Sequence, residues 1–235
     1  MRVVMLPGFS QTASAWNPVT MLLGPAVKAE AIEVPDDGDF LSVASTIAET
    51  QGRGCYVGYS MGGRIALQVA VDRPDLVAAL VVVSASPGIA DHAERRRRCL
   101  DDLAFADWID GHGRDAFLDR WLEMPIFDGL DRTLARRHRL PTAPAISSQL
   151  RRLSQGIQPP LWHRLGELAM PTMLVAGERD PKYTGIATEM LAAIGLNAKV
   201  EIVPDCGHAV PAEWPGAMAA MIMEFLEAHP GASTE

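Results

Sequence analysis

The segment Cys55-Tyr56-Val57-Gly58-Tyr59-Ser60-Met61-Gly62-Gly63-Arg64 leaves this chain few ways to fold. A short apolar, β-like run enters Gly-x-Ser-x-Gly and leaves into a helix-forming stretch from Ile65 to Val71, so a strand turns sharply into a helix with a serine at the corner. A serine hydroxyl is a poor nucleophile or base alone, and such a corner holds it where a histidine can reach it. Gly58 and Gly62 fall where a Cβ would crowd the turn, and the helix opening at Met61 aims backbone N–H groups at a developing oxyanion. With 11 Ser and 20 Gly in 235 residues, about 0.08 accidental matches to the pattern are expected, before a strand is required in front and a helix behind.

The rest of the chain alternates short apolar runs with longer helical patterns, the signature of a parallel sheet covered by helices on both faces. Val3 to Leu6 reads as the first strand, ending in the small, polar loop Pro7-Gly8-Phe9-Ser10-Gln11-Thr12. Beside a serine corner, that loop supplies a second oxyanion N–H from Phe9, to be paired with that of Met61, and Ser10 or Gln11 can add a side-chain contact. Ala15 to Leu23 reads as a helix, Glu30 to Val34 as a strand, and Ser42 to Thr50 as a helix capped by Ser42. After the serine corner and its helix, which stops before Pro74, Leu80 to Val83 is a continuous apolar run typical of a buried parallel strand.

Strand patterns then vanish for roughly eighty residues, far more than an ordinary crossover needs. The expected organisation is a core of residues 1–88 and 166–235 with a helical cap, 89–165, inserted over the ligand-binding edge of the sheet. Its aromatics, Phe105, Trp108, Phe117, Trp121, Phe127 and Trp162, read mainly as the cap's own small core. The run Arg95 to Arg98 reads as a solvated helix face from which one or two members can point into a pocket.

The sheet resumes at Thr172 to Ala176 and breaks at Gly177-Glu178-Arg179-Asp180-Pro181, which hangs Asp180 from a strand end. A helix from about Thr184 to Ile194 and a strand from Val200 to Val203 lead to Pro204-Asp205-Cys206-Gly207-His208, followed by an amphipathic helix from Gly216 to about Ala228. Ser60, Asp180 and His208 thus follow the order of a serine–acid–histidine triad. Ser60 is the nucleophile or oriented hydroxyl, His208 takes and returns its proton, and Asp180 fixes the imidazole. Asp205 is a rival acid, although its position suits a local turn better.

Composition narrows the partners. A net charge of −8 and a pI near 5.3 argue against nucleic acid and anionic membrane surfaces. The N-terminal apolar run is too brief for a signal h-region and no stretch is long enough to span a bilayer, so a cytoplasmic location is expected. Cys55, Cys99 and Cys206 lack metal-ligand spacing and fit reduced thiols. Neither a dinucleotide glycine fingerprint nor a ligand cluster implies a cofactor or metal. A small-molecule ester or carboxylate is the expected substrate, and oligomeric state is open.

The elbow, the Gly177-Glu178-Arg179-Asp180 loop and Gly207-His208 together resemble the α/β-hydrolase superfamily along nearly the whole chain. Within it, Ser60-Met61-Gly62-Gly63-Arg64, Trp121 with Pro125 and Phe127, Gln158-Pro159-Pro160-Leu161 and Asp180-Pro181-Lys182-Tyr183 resemble the succinyl-hydroxycyclohexadiene-carboxylate synthases of menaquinone biosynthesis. The resemblance implies a lyase in which serine and histidine remove a proton, pyruvate is eliminated, and arginines hold the substrate's carboxylates. Carried over, Arg64, one arginine of Arg95 to Arg98 and Trp121 line the pocket, with Tyr59 beside the serine. Near a further cap arginine of that branch, this chain has His138 between Arg137 and Arg139, and Pro7 stands where the branch usually has histidine. Small carboxylesterases of the superfamily share triad and cap without the arginines. Hydrolysis of carboxylic esters is the first expectation from sequence, and the lyase is the alternative.

Overall fold

A computed structural model describes residues 2–25 and 27–230. In chain order, β1 (Arg2–Leu6) is followed by a 3-10 turn and α1 (Asn17–Leu23), β2 (Lys28–Ala31), α2 (Phe40–Gln51), β3 (Gly54–Tyr59), α3 (Met61–Asp72) and β4 (Val77–Val83). Next come α4 (His92–Leu122), which breaks into two helical stretches at Gly113 (φ 87°), α5 (Arg132–Arg137) and α6 (Ala143–Leu153). The chain closes with β5 (Thr172–Gly177), α7 (Pro181–Ile194), β6 (Ala198–Val203), α8 (Val210–Glu213) and α9 (Pro215–Ala228).

The six strands form one parallel sheet in the order β2-β1-β3-β4-β5-β6. Strand residues alternate between two cores. Val4, Leu6, Tyr56, Leu80 and Val82 face α2 and α3, while Val3, Met5, Val57, Val81 and Val83 face α1 and α9. β4, with all seven residues buried, shows why its sequence is a near-continuous apolar run. Register then determines what meets at the carboxyl edge. Leu6 pairs with Gly58, Tyr59 with Val83, Val83 with Val175 and Gly177 with Val203, so the loops after β1, β3, β5 and β6 emerge side by side.

Two local expectations shift. Asp39, not Ser42, caps α2, because its Oδ1 accepts from the Ser42 amide at 2.9 Å and the Ser42 hydroxyl at 2.7 Å. β2 lies at Lys28–Ala31 rather than Glu30–Val34, since pairing with β1 selects the register, and only the Ile32 amide continues it by donating to Met5 O. Among the described residues, no helix is long and apolar enough to cross a membrane.

Candidate active site

Ser60 takes φ 51°, a left-handed conformation unusual outside glycine, at the corner between β3 and α3. The corner closes only because its flanking residues lack side chains. A Cβ on Gly58 would run into the Gly62 carbonyl, and one on Gly62 into the carbonyl of Leu6 on β1. The Ser60 amide donates to Val83 O at 2.8 Å, which anchors the corner to β4.

Asp180 and His208 reach the corner from the ends of β5 and β6. His208 Nδ1–H donates to Asp180 Oδ2 at 2.6 Å, and Ser60 Oγ lies 3.4 Å from His208 Nε2. Both partners are buried, and Asp180 also caps α7 by accepting from the Tyr183 amide at 3.3 Å. Three rings frame the imidazole, with centroids at 4.7 Å for Tyr183, 5.6 Å for Tyr59 and 6.0 Å for Phe127. Burial pushes the Tyr59 and Tyr183 phenols up, so both stay neutral. Among the described residues, the imidazole nitrogens of His208 go to Asp180 and Ser60, and neither goes to Asp205. Asp205 takes φ 52° in a turn where its amide donates to Glu178 Oε2 at 3.1 Å.

A cavity of about 220 Å³ opens above Ser60, and Phe9, Tyr59, Met61, Arg64, Trp121 and His208 all line it. Among the described residues, neither the Phe9 amide nor the Met61 amide is spent on another acceptor, and both residues line the cavity. The Ser10 and Gln11 side chains do not supplement them. Ser10 Oγ accepts from Arg139, and Gln11 Oε1 accepts from the Gly8 amide. The segment between β4 and β5 provides the opposite wall, including Trp121, Phe127, Leu150 and Leu153. Phe105, Phe117 and Trp121 pack together beside Phe9, so Trp121 serves both this small core and the cavity. Its buried Nε1–H has no acceptor among the described residues.

Four cations, Arg64, Arg98, Arg139 and Lys182, line the cavity against one carboxylate, Asp102. Arg64 Nη1 donates to Gln158 Oε1 at 2.9 Å and Nη2 to Leu153 O at 2.8 Å, while the guanidinium lies 5.5 Å from the Phe40 ring centroid. Arg98 is the member of the four-arginine run that lines the cavity, and Asp102 holds its Nε at 2.8 Å. Arg139 was not singled out by sequence. Its Nη1 donates to Phe9 O at 3.0 Å and Ser10 Oγ at 2.9 Å. His138 turns instead to Ser14, Nδ1 to Oγ 2.9 Å. Arg64 is 9% exposed and Arg139 6%, yet among the described residues neither forms an ion pair with a carboxylate. Burial pulls both guanidinium pKa values down to about 10.

Residues 3–221 match the model of the alpha/beta hydrolase family. The chain belongs to that family. A member from Bacillus subtilis (strain 168), provisionally named 2-succinyl-6-hydroxy-2,4-cyclohexadiene-1-carboxylate synthase, is 35% identical over 177 residues, 72% of this chain. The chain spans 64% of that relative's length. The synthase of that name from Enterobacter sp. (strain 638) is 29% identical over 95% of this chain and 91% of its own. Among alpha/beta hydrolases of known structure, MenH from S. aureus superposes with a TM-score of 0.91 at 28% identity, covering 98% of this chain and 94% of that one. The alpha/beta hydrolase fold with a mostly parallel sheet flanked by helices, expected from sequence, is the fold found, and all six of its strands are parallel.

Proposed function

We infer that this alpha/beta hydrolase is a lyase of the 2-succinyl-6-hydroxy-2,4-cyclohexadiene-1-carboxylate synthase type, which removes a proton from a multiply carboxylated cyclohexene and eliminates pyruvate. The observation that carries this reading is the pair of buried guanidiniums, Arg64 and Arg139, that line the Ser60 cavity with only neutral partners. Burying an uncompensated cation is costly, and a substrate carboxylate relieves that cost where an apolar acyl chain does not. The named relatives support the same chemistry. Sequence alone favours ester hydrolysis, because the triad and oxyanion loop suit both reactions and an acidic overall charge disfavours a multiply anionic substrate. The paired cations reverse that order.

In this mechanism Ser60 Oγ accepts the substrate proton as its own passes to His208 Nε2, and Asp180 stabilises the imidazolium. Charge gathering on the substrate's carbonyl oxygen meets the Phe9 and Met61 amides. The electron pair left on carbon forms the new C=C bond and the C–O bond to the pyruvyl unit breaks. The departing enolate of pyruvate recovers a proton, which returns the site to its starting state. Arg64, Arg98 and Arg139 hold carboxylates, Tyr59 and Trp121 line the ring's pocket, and the segment 89–165 acts as a cap that keeps water from the reacting carbon.

Steady-state turnover separates the two chemistries. The enolpyruvyl precursor of that cyclohexadiene should give a serine-dependent kcat/KM of about 10⁴ M⁻¹s⁻¹ or more, and p-nitrophenyl esters should stay near the Ser60→Ala blank. Efficient ester turnover with no pyruvate release would return carboxylic-ester hydrolysis to first place.

A further inference from the structure

Ser10, next to the Phe9 oxyanion donor, sits fully buried at φ 61° in a conformation that non-glycine residues adopt only when their surroundings hold them there. What holds it is not the hydrolase core. The Ser10 amide donates to Gln149 Oε1 on α6 at 2.7 Å. Its carbonyl accepts from the Leu140 amide at 2.7 Å, and its hydroxyl accepts from Arg139 Nη1 at 2.9 Å. The same Nη1 donates to Phe9 O at 3.0 Å. The peptide plane joining Phe9 to Ser10 is thus gripped on both edges, its oxygen by Arg139 and its N–H by Gln149. On the preceding plane, which carries the Phe9 N–H, the Gly8 carbonyl accepts from the Gln11 amide at 3.1 Å, and Gln11 in turn bridges to Arg139. Among the described residues, every hydrogen bond that reaches Phe9 O or Ser10 from outside the loop comes from residues 139–149, while the Phe9 ring rests on Phe117 and Trp121.

We propose that Gln149 is a positioning residue that, with Arg139, aims the Phe9 amide at the oxyanion, so that the segment over the active site sets the chemical rate as well as the pocket's shape. This rests on the reading of Phe9 and Met61 as oxyanion donors, and not on which reaction they serve. Gln149 itself does not line the cavity, so its loss acts on the donor and not on substrate contacts. Loss of an oxyanion donor costs about 10² to 10³ in kcat, and a donor left in place but poorly aimed loses a part of that.

The test uses the full chain and a fluorophosphonate, whose attack by Ser60 needs the oxyanion site whatever the natural substrate. Gln149→Leu removes the acceptor, Gln149→Glu keeps one, and Gln149→Asn draws it back by one methylene. In Gln149→Leu the second-order labelling rate and kcat for pyruvate release should both fall about tenfold, with KM changed less than twofold. Gln149→Glu should recover to within about threefold of the parent. If Gln149→Leu does not fold, Gln149→Asn carries the comparison and should show the same fall. Folded variants that label at the parent rate would overturn the proposal, as would a loss that Gln149→Glu fails to restore. A parent protein that takes no fluorophosphonate would overturn the oxyanion reading and this inference with it. Normal labelling without pyruvate release would overturn only the lyase reading.

Discussion

Replacing Arg64 by methionine separates binding from folding in a way few active-site substitutions do. Burial pulls the guanidinium pKa well below its ordinary value, to about 10, which at 1.36 kcal/mol per decade is about 3 kcal/mol against the charged form in the folded protein. Because the folded value is the lower one and still lies well above neutrality, the penalty is fully present below about pH 10 and fades only as pH rises from there towards the ordinary guanidinium range. Methionine removes that penalty and keeps much of the packing, but it leaves Gln158 Oε1 and Leu153 O without their donor, at about 1–3 kcal/mol each. The terms largely cancel, so stability should fall by no more than about 3 kcal/mol, a Tm decrease of at most about 10 °C. Turnover should not be spared. Losing one partner of a buried, hydrogen-bonded charge pair costs about 2–5 kcal/mol, so kcat/KM for the carboxylated substrate should drop between about 30-fold and several thousand-fold. Arg64 lies outside the triad and the oxyanion pair, so fluorophosphonate labelling of Ser60 should stay within about threefold of the parent. Calorimetry, pyruvate release and labelling kinetics on one preparation make the comparison. Unchanged pyruvate release, or labelling that falls as far as turnover, would refute the assignment of Arg64 to a substrate carboxylate.

Two further substitutions probe the scaffold of the same site. Asp180→Asn retains an oxygen to accept from the Tyr183 amide but cannot stabilise an imidazolium, so kcat should fall about 10⁴-fold with the circular dichroism spectrum unchanged. A loss below tenfold would remove Asp180 from the triad. Gly62→Ala drives a methyl into the Leu6 backbone, where no flexible side chain can yield, so denaturant titration should show a loss near the upper end of the usual 1–3 kcal/mol for overpacking. A variant as stable as the parent would contradict the close approach of α3 and β1.

The parts legible in the sequence are those written in consecutive residues. Ser60, Asp180 and His208 each sit in a short turn after an apolar run, and the strand ends bring those turns together. Arg98 was legible only as one of four adjacent arginines, since helical phase decides which faces the cavity and nothing in Arg95 to Arg98 fixes that phase. Arg139 belongs to a strap whose position depends on bridging to Gln11, 128 residues earlier. No local signal separates it from Arg136 and Arg137, which likewise have no acidic residue within four positions in the sequence. The grip of Gln149 on Ser10 is similarly long-range, and a glutamine in an amphipathic helix carries no local mark of it. The α2 cap is ambiguous for the opposite reason. Asp39 and Ser42 are both good capping residues, and only the extended φ/ψ of Asp39 distinguishes cap from first turn.

A quenched single turnover of the enolpyruvyl precursor, with pyruvate, cyclohexadiene product and intact protein mass read from the same samples, tests the central claim most directly. If Ser60 and His208 act as a base against a carbonyl held by Phe9 and Met61, pyruvate and diene appear one for one while the protein mass never changes. A transient adduct on Ser60 that forms and decays at the rate of turnover would contradict it, because the serine would then be a nucleophile.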